Sequence, residues 1–272
     1  MLFRDVVGHK DIKDRLRREA DDGRVAHALL FYGPEGCGKL PLALAFARYL
    51  LCSHPNEGEP CGACNNCRMT ARWTHPDLHF VFPVVKYKDA AHSISDVYLT
   101  EWRKQLENNV YFGLNEWLGD MQAENQQALI YSAESDAIQK KLSLKSSQGG
   151  KKVLVFWLPE KMNQECANKL LKLLEEPPAE THFLLVSEHV EAVLPTILSR
   201  AQCISIKRLT EDEIAGALES GNACDQDTAK RIAHAANGNF IAAQQMLHHN
   251  ADQALFFDLF VILMRLSYQR KI

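Results

Sequence analysis

Apolar positions along this chain follow two rhythms. Up to about residue 208, short continuous apolar runs alternate with stretches of helical spacing, and beyond it only helical spacing remains. The run Ala28-Leu29-Leu30-Phe31-Tyr32 reads as a buried strand, and Leu42-Ala43-Leu44-Ala45-Phe46-Ala47 as the helix that follows. Val153-Leu154-Val155-Phe156-Trp157-Leu158 is a second strand of the kind a parallel sheet buries on both faces. A helix is predicted from about Gln164, with Ala167, Leu170, Leu171 and Leu174 on one face. It stops at Glu175-Glu176-Pro177-Pro178, because proline cannot continue it. Phe183–Ser187 is another strand, residues 193–199 a short helix, and Cys203–Ile206 a last strand. Strand–helix alternation of this kind implies an α/β domain with a parallel sheet flanked by helices.

From Leu209 the character changes. Thr210, with Glu213 three residues on, is a capping-box helix start. Helical spacing continues through Ile214–Leu218, Ala229–Ala236 and Phe240–Leu247, broken by Gly221 and by Asn237-Gly238. Three short helices result, either a plain bundle or a lid for a nucleotide site. Residues 76–150 lack clean alternation, although 99–109 has helical character. A structureless loop of that length is uncommon in a compact domain, so an inserted helical element and a flexible crossing are expected there. Its aromatics, Trp102, Tyr111, Phe112 and Trp117, are suited to packing the insert on the domain or to stacking on bases.

A length of 272 residues accommodates one large or two smaller domains, and a net charge of −3 shows no global basic bias. No apolar stretch approaches a membrane span, and Met1-Leu2-Phe3-Arg4-Asp5 does not open a secretory signal. A cytoplasmic protein without membrane contact is expected. In that reducing compartment, the eight cysteines suggest metal ligation or buried thiols before disulfides.

Two motifs carry candidate chemistry. Gly33-Pro34-Glu35-Gly36-Cys37-Gly38-Lys39-Leu40 is a phosphate-binding loop complete up to its last position, where Ser or Thr would hold magnesium and leucine cannot. Gly33, Gly36, Gly38 and Lys39 are therefore candidate nucleotide-binding residues of a degenerate site. The second motif is Cys52 followed by Cys61-Gly62-Ala63-Cys64-Asn65-Asn66-Cys67. Four thiolates fit a closed tetrahedral zinc shell, which is structural because it leaves no open position. An iron–sulfur cluster and free buried thiols are the alternatives. Cys37, Cys166, Cys203 and Cys224 are scattered, as core residues would be.

These pieces together resemble the clamp-loader subunits of bacterial DNA polymerase III, within the AAA+ ATPase superfamily. The resemblance runs from Phe3 and Val7-Gly8-His9 through the phosphate loop and the four cysteines. It continues with Asn168-Lys169-Leu170-Leu171-Lys172-Leu173-Leu174-Glu175-Glu176-Pro177-Pro178 and Leu194-Pro195-Thr196-Ile197-Leu198-Ser199-Arg200. Residues 80–125 fall outside it and look like an insertion. Three departures point to the delta-prime type of subunit and away from the ATP-hydrolysing gamma/tau type. Leu40 replaces the metal-binding hydroxyl, Trp157-Leu158 stand in place of the acidic pair on the second strand, and Ile241 stands where motor subunits carry a lid arginine.

The resemblance implies an AAA+ type domain over 1–208 with a zinc module at 52–67, a helical lid over 209–250, and the start of a collar domain at 251–272, just inside which the chain stops. It implies a DNA-replication role in the DNA polymerase III holoenzyme, a DNA-directed DNA polymerase, with no polymerase or ATPase activity in this chain itself. The implied partners are gamma/tau and delta subunits in a hetero-pentamer, with primer-template DNA and the sliding clamp reached through the complex. Arg200, in Ser199-Arg200, falls at the family's arginine finger, offered in trans to a neighbouring site; the family's following cysteine is Ala201 here. The retained glycines and Lys39 license at most weak, metal-poor nucleotide binding. An active gamma/tau-type ATPase would require acids where Trp157-Leu158 stand. A zinc-dependent nucleic-acid module would require many basic residues near the cysteines, where Arg48, Arg68 and Arg72 are found.

Overall fold

Alternate residues of the first apolar run go to opposite faces of a sheet. In β1 (Ala28–Tyr32), Leu29 and Phe31 join one core cluster while Ala28 and Leu30 join another. The computed structural model describes residues 1–86, 93–148, 150–221, 224–248 and 264. They divide into two compact units, Met1–Arg208 and Leu209–Ile272.

The first unit is built on a five-stranded parallel sheet, with β2 (Leu78–Val81), β5 (Lys152–Trp157), β6 (Thr181–Ser187), β1 and β7 (Gln202–Ser205) side by side in that order. Every residue of β5 and β6 is buried, so these strands read as apolar runs with no alternation. On one face lie α2 (Lys39–Leu51) and the aromatics of the 95–120 region. On the other lie α6 (Ser132–Ser143), α7 (Gln164–Glu175) and the short α8 (Pro195–Leu198). Helix α1 (Lys10–Asp21) precedes β1 and buries Leu16. Among the described residues no helix is long and apolar enough to cross a membrane.

The described residues within 76–150 form more regular structure than their pattern suggests. Four of them form β2, an edge strand of the main sheet that pairs with β5 from Leu78↔Val153 to Val81↔Phe156. Its period is obscured because one edge-strand position, His79, is half-buried and polar among apolar neighbours. The segment expected as an insertion at 80–125 therefore overlaps a strand of the main sheet. It carries α4 (Leu99–Asn108) and α5 (Leu114–Asp120), and a two-stranded ribbon of β3 (Val84–Val85) and β4 (Ala128–Leu129) closes it. Residues 87–92 of the expected insertion lie outside the described residues.

The polar crossing expected to be flexible is held in place as far as Gln148. Buried Asp77 accepts Ser146 Oγ at 2.9 Å and the N–H groups of Ser147 and Gln148 at 2.9 and 3.1 Å. Burial alone would raise that carboxyl, but these donors hold it below the usual carboxylate range. The insert's aromatics are interior. Trp102 and Trp117 are fully buried, Phe82 stacks on Trp102 at 4.2 Å, and Trp117 meets Trp102 edge-on at 5.1 Å. Packing is their role, and they are not available to stack on bases.

The second unit contains α9 (Glu211–Ser220), α10 (Gln226–Ala236) and a further helical stretch at 240–248. Thr210 caps α9 as its spacing predicts, accepting Glu213 N at 3.2 Å while Glu213 Oε2 accepts Thr210 N at 2.9 Å. Ile241 is buried within this unit. The expected collar start at 251–272 lies outside the described residues except for position 264.

Candidate functional site

Helix α2 joins the two motifs, because Gly38 is its N-cap and Cys52 its C-cap. Between β1 and α2 the chain makes a tight turn at the residues with phosphate-loop spacing. Gly33 has φ +155, and a Cβ there would lie 2.1 Å from the Ile206 carbonyl oxygen, so only glycine fits. Gly36 and Gly38 take φ +69 and +91, conformations that side chains resist. Lys39 is buried, and its ammonium donates to the loop's own Pro34 carbonyl at 2.5 Å and approaches Cys37 Sγ at 3.8 Å. Leu40, at 5 % exposed, packs into the core.

The insert comes down onto this loop. Tyr111 lies so close over Gly38 that a Cβ there would meet its ring at 3.4 Å, and the Tyr111 hydroxyl accepts the Val7 N–H at 2.8 Å. His9 Nε2 donates to the Cys37 carbonyl at 2.6 Å. Two residues beyond Tyr111, the Glu35 carboxylate runs against Gly113, 2.5 Å from where a Cβ would stand. Burial pushes the Tyr111 phenol up, so it is a neutral group here. Trp157 explains why the insert sits where it does. It is buried at the end of β5, 5.3 Å from Trp102 and 5.2 Å from Phe112, and forms the seat of the aromatic cluster.

Acids do approach the loop, but from other positions. Glu160 Oε1 accepts the N–H groups of Glu188 and His189 at 2.8 and 3.2 Å. Burial raises the Glu188 carboxyl; Lys39 opposes that, while Glu35 and Glu160 reinforce it. Three carboxylates and one folded-back ammonium make poor surroundings for a polyphosphate. Tyr111, Gly113, Glu160 and Glu188 are not identifiable as neighbours of the loop from spacing, since each is distant in sequence. The only signal is the aromatic content of the insert.

At the other end of α2, Cys52, Cys61, Cys64 and Cys67 bring their sulfurs within 4.8 Å of one another, the only such metal-ligating group among the described residues. Cys67 Sγ lies 3.5 Å from Cys52 Sγ and 3.9 Å from Cys61 Sγ. Tetrahedral zinc with Zn–S near 2.3 Å requires sulfur separations of about 3.8 Å, so the donor set fits the ion. Backbone N–H groups support the thiolates: Cys61 N to Cys52 Sγ at 3.3 Å, Cys64 N to Cys61 Sγ at 3.4 Å, and Cys67 N to Cys64 Sγ at 3.4 Å. Burial opposes ionisation of Cys64, yet the Ser53 and Cys67 N–H groups and the neighbouring thiols bring it down to about 6. Burial raises Cys52 and Cys67. Cys64 also caps α3 (Asn65–Ala71), which carries Cys67.

Arg200 follows α8, on a different stretch of the same unit. Its Nη2 pairs with Glu175 Oε1 at 2.6 Å, and Nη1 donates to the Thr196 carbonyl at 2.9 Å and to Ser199 Oγ at 3.2 Å. About a third of the side chain is exposed. The two motifs of the resemblance, Leu-Glu-Glu-Pro-Pro and Ser-Arg, thus meet through one ion pair.

Residues 8–210 match the family model described as DNA polymerase III, delta subunit. The chain is 28 % identical over 218 residues to a DNA polymerase III subunit delta' of Bacillus subtilis, covering 80 % of this chain and 52 % of that protein. It is 33 % identical over 175 residues to the subunit delta' of Pseudomonas aeruginosa, covering 64 % and 41 %. A tau/gamma subunit of Haemophilus influenzae is 30 % identical over 213 residues, covering 78 % and 25 %. The chain spans about half the length of the delta' relatives it matches. Among solved structures, a variant of RuvB from Thermotoga maritima aligns with a TM-score of 0.56 at 14 % identity, over 94 % of this chain and 66 % of that one, a likeness of fold alone.

Proposed function

The chain belongs to the DNA polymerase III, delta subunit family, and on that premise we propose that it is the non-hydrolysing, delta-prime type of clamp-loader subunit. In this reading it assembles with gamma/tau and delta subunits in a hetero-pentamer. It helps place the sliding clamp on primed DNA in the cytoplasm and offers Arg200 to the ATP site of a neighbour. It contributes no polymerase or ATPase activity of its own.

The observation that carries the reading is Trp157. Phosphoryl transfer depends on charges that position metal and water. At the end of β5, where an acid would hold the metal, stands an indole buried against Trp102 and Phe112. Leu40 removes the hydroxyl ligand, and Tyr111 lies over Gly38. A gamma/tau-type motor would need the hydroxyl, the acids and the lid arginine that Leu40, Trp157-Leu158 and Ile241 replace. Delta' and tau/gamma relatives match at similar identity, so the distinction rests on these residues.

Arg200 suits a finger because its planar fork is already fixed at Glu175, Thr196 and Ser199 while part of it stays exposed. Zinc at Cys52, Cys61, Cys64 and Cys67 supplies a closed structural cross-link. The thiols hold the start of α3 to the end of α2, and Asn66 Nδ2 adds a hydrogen bond to the Leu51 carbonyl at 2.9 Å.

The test is reconstitution of the whole protein with its ATPase and delta partners, with clamp-dependent ATP turnover as the readout. Arg200→Ala should lower turnover partially, since the other sites of the ring do not use this arginine. Arg200→Lys should rescue it poorly. Turnover equal to wild type in the alanine variant removes the finger assignment. Magnesium-dependent hydrolysis by this chain alone, lost in Lys39→Ala, removes the non-hydrolysing assignment.

A further inference from the structure

Arg68 lies in α3 and Arg72 is the residue that caps its C-terminus, and the two line the same groove. Both are exposed, and neither side chain forms an ion pair or hydrogen bond among the described residues. Arg48, in the last turn of α2, joins them on a single groove of about 450 Å³, whose lining also includes Cys67 of the cage, Met69 and Thr74. Among the described residues no acidic side chain lines it.

Arg48 is 6 % exposed; its Nη1 donates to the Met1 carbonyl at 2.7 Å, and its Nε is buried without a hydrogen-bond partner. The carboxylates that act on Arg48, Asp5 and Glu59, are already engaged elsewhere. Asp5 accepts the Leu2 N–H, and Glu59 accepts the N–H groups of Phe3 and Arg4 and pairs with Arg17.

Three guanidiniums on one groove repel one another, and a buried cationic donor without a partner is costly. A chain of net charge −3 has carboxylates to place there and has placed none. Arg48 is tied down by the Met1 carbonyl, which leaves the exposed Arg68 and Arg72 as the open pair. Planar guanidinium forks match phosphate oxygens in geometry as well as charge. Among the described residues no aromatic lines the groove, so the recognition it offers is of phosphate and not of bases.

We propose that this groove beside the cysteine cage is a phosphate-binding site, for the backbone of a nucleic acid or for a small phosphoanion. The site is independent of the clamp-loader reading, because it is a surface of the chain by itself. The arginines that look too few in sequence to make a basic patch are gathered by the fold on one surface.

The experiment measures binding of a fluorescein-labelled oligothymidylate to the full chain by anisotropy across a salt series, with inorganic pyrophosphate as a second probe. Arg68→Ala/Arg72→Ala should weaken oligonucleotide binding about tenfold and reduce the salt slope by about 1.4, at about 0.7 for each phosphate of a single strand that is no longer neutralised. Binding of pyrophosphate alone, abolished by the same variant, would assign the site to a small phosphoanion. Lys230→Glu, in the second unit, controls for net charge, and metal content with circular dichroism confirms that each variant is folded. Arg68→Glu/Arg72→Glu binding both probes like wild type, or an equal loss in Lys230→Glu, would overturn the proposal. So would polyglutamate competing as well as the oligonucleotide at equal charge.

Discussion

At the N-terminal end of α2, a phosphate loop retains its glycines and lysine, yet residues remote in sequence close it. At the C-terminal end of the same helix, four cysteines form a cage from a single short stretch and need little from the rest of the fold. The loop's surroundings include Tyr111, which holds Val7, and Glu188, from distant parts of the first unit. The cage's come from Cys52 to Cys67, with backbone N–H groups of the same stretch directed at the sulfurs. A motif whose ligands are all local declares its chemistry in sequence. One that needs partners from other strands can keep its spacing after its chemistry has gone.

The largest effect expected from breaking this contrast is at the cage. Structural zinc binding is worth on the order of 10 kcal/mol to a site of this type. Cys64→Ser should therefore lose bound metal and hydrogen-exchange protection over residues 52–74 while leaving protection at 28–47 intact. Elemental analysis showing one metal per chain in that variant would contradict the cage.

Next comes the seat of the insert. Trp102→Ala removes a fully buried indole that meets Phe82, Phe112, Trp117 and Trp157, and should destabilise the first unit by about 3–5 kcal/mol. Denaturant unfolding gives the value, and unchanged metal content would separate this region from the cage. A loss below about 1 kcal/mol would mean the aromatics are not the anchor.

A smaller effect depends on pH. Burial pushes the Glu134 carboxyl up to about 7 from its ordinary 4.5, against the pull of the Ser95 N–H at 2.6 Å. The folded state then holds a proton that the unfolded state releases, so stability is greatest below about pH 4.5 and falls as pH rises through 7. The shift corresponds to about 3 kcal/mol as an order of magnitude. Glu134→Gln should flatten the stability profile between those limits and be the more stable protein at pH 8. A wild-type profile as flat as the variant's would refute the assignment.

The smallest effect is at the loop itself. Tyr111→Phe keeps the ring and leaves the Val7 N–H without its acceptor, which should cost about 1 kcal/mol. Thermal unfolding measures it. Stability equal to wild type would show that the hydroxyl contributes nothing to the closure.

The strands β1, β5 and β6 are legible because burial on both faces leaves an unbroken apolar run. Helix α7 is legible from its stripe and its proline stop, and the capping box at Thr210 from spacing alone. Strand β2 is not, because an edge strand of four residues with a polar half-buried position carries too short a period to separate from a loop. The crossing at 143–148 reads as flexible because its polar residues look solvated, and their partner Asp77 is some seventy positions away. In the candidate site, the family resemblance alone sets Trp157 where an acid is expected. That it is also the floor for Trp102 and Phe112 is out of reach of the sequence.

By itself, then, the sequence determined a parallel α/β core, the capping box at Thr210 and the grouping of four thiols, all of which depend on neighbours within a few residues or on a single period. Only the tertiary structure decided that Tyr111 covers Gly38, that Glu188 approaches Lys39 and that Arg200 rests on Glu175. It also decided that Arg48, Arg68 and Arg72 share a groove. Each of these is a meeting of side chains from different elements, and such meetings are set by sheet order and helix packing, which no local spacing records.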